Sequence, residues 1–86
     1  MTTEHNKDMV TEMNFSGLIL GFCSAALSYL GYGDAQAEKN LTLAKQNIDI
    51  LEILSLKTKG NLNADEERLI QQVLKDLRMK FVEAAK

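Results

Sequence analysis

The chain has no proline and no tryptophan, one cysteine and one histidine. Without proline, nothing along its 86 residues removes a backbone amide or clashes with the preceding turn, so long helices are unobstructed. A lone Cys23 closes no internal disulfide, and with His5 as the only histidine there is no Cys/His cluster to hold a structural zinc. His5 also lies in a polar stretch at the start, where no rigid Ser/His/Asp or Cys/His arrangement can form around it. The expectation is therefore no enzyme: no catalytic residues, no cofactor and no metal. Basic excess is missing too. Ten basic against twelve acidic side chains leave a net charge of −2, which excludes the usual electrostatic basis for binding a phosphate backbone, so no nucleic-acid partner is expected. A chain this short buries only about 60% of its unfolded surface on folding. With disulfide and zinc gone, self-association is the remaining ordinary aid to stability.

What is present is helical patterning. Residues 1–13 are polar, carry both signs of charge and show no period, and are read as a tail. Residues 14–86 are read as a single helical domain, with helices about 14–30, 40–58 and 63–84. From Met13 to Gly33 no residue is charged, and large apolar side chains fall on every side of a helical wheel. Gly31 and Gly33 are placed to stop this first helix, and a polar linker, Asp34 to Lys39, follows. The second helix sets Leu41, Ala44, Ile48 and Leu51 on one stripe with Leu43, Ile50 and Leu54 beside it, and Gly60 closes it. Asn63 and Glu66 have the spacing of a capping box for the third helix, whose Leu69, Ile70, Val73, Leu74, Leu77 and Phe81 make one apolar face. The short connection between the second and third helices implies an αα-hairpin. An ion pair from Asp49 to Arg78 across that hairpin is the sharper reading of Asp49; a plain exposed position beside Lys45 is the blander one.

Asn40-Leu41, Ala44, Ile48-Asp49, Leu51, Lys57-Thr58, Gly60-Asn61-Leu62, Glu66, and Asp76-Leu77-Arg78 followed by Phe81-Val82 together carry a family likeness. Over roughly Asn14 to Glu83 the chain resembles the small bacterial proteins grouped as domain of unknown function 1844. Lys57 to Leu62 and the Asp76-Leu77-Arg78 triplet are its most specific parts, and the first helix matches more loosely. Where the family often has threonine and proline after the Asn-Leu pair, this chain has Asn63 and Ala64, which keeps the cap and loses the proline start. The resemblance implies a helical fold and a cytoplasmic setting, and it transfers no functional residue.

The small residues of the first helix recur in order. Gly17, Gly21, Ser24, Ser28 and Gly31 are spaced by four, three, four and three, a heptad seam along which two helix backbones can approach closely. Phe15, Leu18 and Phe22 flank it, and with Gly17, Gly21, Ser24 and Ser28 they form the expected interface. Chance placement of small residues in an apolar helix is the alternative, although each mid-helix glycine costs about 1 kcal/mol relative to alanine. The expected architecture is all-α: an apolar first helix plus an αα-hairpin, in an oligomeric helical bundle, most simply a two-fold dimer. The expected role is a non-enzymatic interaction or scaffold protein with an unidentified protein partner. A rival reading uses the same uncharged run as a membrane segment, since about 20 apolar residues span a bilayer. The run has no tryptophan anchors and no strong Lys/Arg asymmetry at its flanks.

Overall fold

The structure, a computed structural model, describes residues 14–32 and 39–86. The expected tail over 1–13, with His5, and the linker from Asp34 together with Gly33 lie outside the described residues. Within them are three helices and no strand: α1 Phe15–Tyr29, α2 Leu41–Lys57 and α3 Ala64–Ala85. The chain is all-α, as its periodicity implies.

Each helix opens on an asparagine whose side chain satisfies an amide that the helix itself leaves free. The Asn14 oxygen accepts from the Gly17 amide at 2.8 Å, Asn40 from Leu43 at 3.0 Å, and Asn63 from Glu66 at 2.8 Å. At α3 the arrangement is reciprocal, because the Asn63 amide donates to Glu66 Oε1 at 3.0 Å. Asp65, Glu66 and Glu67 sit in that first turn, at the positive end of the helix dipole.

Helix α1 stops at a glycine. Gly31 takes φ +97°, the Tyr32 amide reaches the Leu27 carbonyl at 2.9 Å and the Gly31 amide the Ser28 carbonyl at 3.0 Å, a Schellman ending. This cuts the helix short of the uncharged run that contains it. Fifteen residues at about 1.5 Å each make about 22 Å, against about 30 Å for a bilayer core. Among the described residues no helix is long and apolar enough to cross a membrane. The Asn40 amide donates to the Tyr29 carbonyl at 2.7 Å, tying the start of α2 to the end of α1. Gly60, at φ +87°, makes the second reversal.

The core takes one stripe from each helix: Ile19, Ala26 and Leu30 from α1 and its cap, Ala44, Ile48 and Leu51 from α2, and Ile70, Val73, Leu74 and Leu77 from α3. Among the described residues no polar or charged side chain is buried, so the core has no polar side chain to satisfy. Full burial of each large side chain contributes about 1.5–3 kcal/mol.

Polar contacts register α2 against α3 along one edge. Arg78 Nε and Nη2 donate to Glu52 Oε2 at 3.1 and 2.7 Å, and the Gln71 amide donates to Ser55 Oγ at 3.0 Å. Of the two readings of Asp49, the exposed position beside Lys45 is the one observed, and the buried pair with Arg78 is not formed. Asp49 pairs with Lys45 inside α2 at 2.9 Å, and Arg78 takes Glu52 instead. At about 100° per residue, three further positions along α2 turn Glu52 toward the α3 edge and leave Asp49 on the solvent side.

Candidate interaction surface

Helix α1 carries no charged residue between Phe15 and Tyr29, so its surroundings must be read from side-chain size and burial. Ile19 and Ala26 are fully buried, and the cap residue Leu30 joins them in the core. Phe15, Phe22, Cys23, Leu27 and Tyr29 pack on that core from the two shoulders of the helix. What remains is the strip facing away from the hairpin. At about 100° per residue, Gly17, Gly21, Ser24 and Ser28 fall within a narrow arc about half a turn from Ile19, Ala26 and Leu30. Gly21 and Ser24 are exposed, and Gly17 and Ser28 are half-buried. The seam of small residues thus lies on the outward side of α1, rimmed by Leu18 at 36% and Leu20 at 52% exposure.

The seven residues singled out in the sequence therefore divide. Gly17, Gly21, Ser24, Ser28 and Leu18 line the outward side or its rim, whereas Phe15 and Phe22 are half-buried and pack against the core, Phe22 also lining the outward groove. The outward strip is accordingly less greasy than an apolar helix suggests, because glycine and serine occupy its centre. Beside it runs a shallow groove of about 260 Å³, lined by Gly17, Leu18, Gly21, Phe22 and Ala25 of α1 and by Asn47 of α2. Sequence reasoning missed Asn47. The signal was a polar residue interrupting the second stripe of α2 between Leu43 and Ile50. Its side-chain amide donates to the Leu43 carbonyl at 2.9 Å, so its own helix satisfies it.

Gly21 is the informative position. Among the described residues a Cβ added there meets nothing within 4 Å, so none of them requires glycine. Glycine in a helix interior nevertheless costs about 1 kcal/mol relative to alanine. The open space above Gly21 is on the outer side of the described residues.

Other side-chain clusters have ordinary structural roles. At the α1–α3 edge, Lys80 Nζ lies 2.7 Å from Asp76 Oδ1 and 5.8 Å from the centre of the Tyr32 ring, bracing the α1 ending. The hydrogen bond to Asp76 raises the pKa of Lys80. Burial, and then the nearby Asp76 charge, push the Cys23 thiol up against a smaller opposing effect of Lys80, so Cys23 stays a protonated, weakly reactive thiol. A second groove, about 410 Å³ between α2 and α3, is polar, but Glu52 and Arg78 within it already pair with each other. Among the described residues no three His, Cys, Asp or Glu side chains are grouped to hold a metal ion.

No curated protein and no solved structure matches the chain. The model of one family, described as a domain of unknown function (DUF1844), matches residues 12–83, which cover all three helices except the last residues of α3. That match spans most of the sequence, and the chain belongs to the DUF1844 family.

Proposed function

We propose that the protein is a non-enzymatic interaction or scaffold module that works as a homo-oligomer, most simply a two-fold dimer, joined through the outward seam of α1. The observation that carries this reading is Gly21: a mid-helix glycine with open space at its Cβ, disfavoured by propensity and unexplained by any contact among the described residues. In a dimer the missing side chains at Gly17, Gly21, Ser24 and Ser28 let two helices approach closely and gain dispersion contacts that bulkier residues would block. Exposed Leu18 and Leu20 on the rim then lose their contact with water. A cytoplasmic setting belongs to this proposal and suits a reduced, half-buried Cys23. The rival reading, a first helix inserted across a bilayer, finds no support in a helix that ends at Tyr29. Sedimentation equilibrium of the full chain at micromolar concentration tests the proposal. A mass twice that of the chain is expected, and a single-chain mass at every concentration overturns it.

A further inference from the structure

We draw no further inference here: the strongest candidate, the shallow groove between α1 and α2 lined by Gly17, Gly21, Phe22 and Asn47, belongs to the surface already described, and nothing in the structure shows what covers it.

Discussion

The α2–α3 hairpin and helix α1 solve the problem of a small core in opposite ways. The hairpin is amphipathic and explicit: its charged residues face solvent, Glu52 and Arg78 join its two helices, and a reciprocal cap fixes the start of α3. All five ion pairs of the described residues lie on α2 and α3 or between them. Helix α1 has no ion pair and no charge, and it turns glycine and serine outward where a solitary surface helix would carry lysine and glutamate. The hairpin also leaves Ile53, Leu56, Met79 and Val82 exposed, so what sets α1 apart is its lack of charge. On this account α1 is finished by another copy.

The largest expected effect breaks the core that both regions share. Leu51, fully buried, is the hairpin's contribution to that core, and Leu51→Ala should cost about 2–5 kcal/mol in urea unfolding through lost burial and the cavity left behind. A cost below about 1 kcal/mol would mean that the three helices do not close on one core. Caps sharpen the comparison next. Asn63→Ala removes a reciprocal pair and should cost about 1 kcal/mol in thermal unfolding, whereas Asn14→Ala, losing a single bond, should cost about 0.5 kcal/mol. An α1 cap that matters more than the α3 cap would reverse the picture of a self-sufficient hairpin. The smallest effect belongs to the ion pair itself. Glu52 and Arg78 are about half exposed, so Arg78→Met should cost less than about 1 kcal/mol, and the loss should shrink further in 1 M salt. A loss above about 2 kcal/mol that persists in high salt would show a pair shielded from water.

Legibility followed how local the chemistry is. Gly31, Gly60 and the Asn63–Glu66 box could be read from single residues, because helix ends are set by backbone geometry and by side chains at most three positions away. The hairpin stripes were equally plain, since the charges of α3 fix which side is wet. Asn14 was overlooked as a cap because the uncharged run begins before it and hides the helix start. The phase of α1 was the hard part. A helix apolar on all sides does not say which side faces inward, and only the fold shows that the half-buried Phe15 and Phe22 also pack against the core. Asp49 and Glu52 are one turn apart on α2, and only the rotation of α2 against α3 decides which of them meets Arg78. The Gly17 to Ser28 spacing was visible, but its outward direction needed the fold.

The claim that a partner uses the bare backbone at Gly21 can be put to one measurement: urea unfolding of Gly21→Ala beside the unaltered chain, at protein concentrations well below and well above the dimer dissociation constant. In the dilute monomer, alanine should stabilise by about 1 kcal/mol, because the helix prefers it and no described residue obstructs its methyl group. In the concentrated dimer the sign should reverse, since the same methyl group holds the two helices apart and weakens the assembly that adds to stability. Equal stabilisation at both concentrations would contradict the account and leave Gly21 without an outside partner.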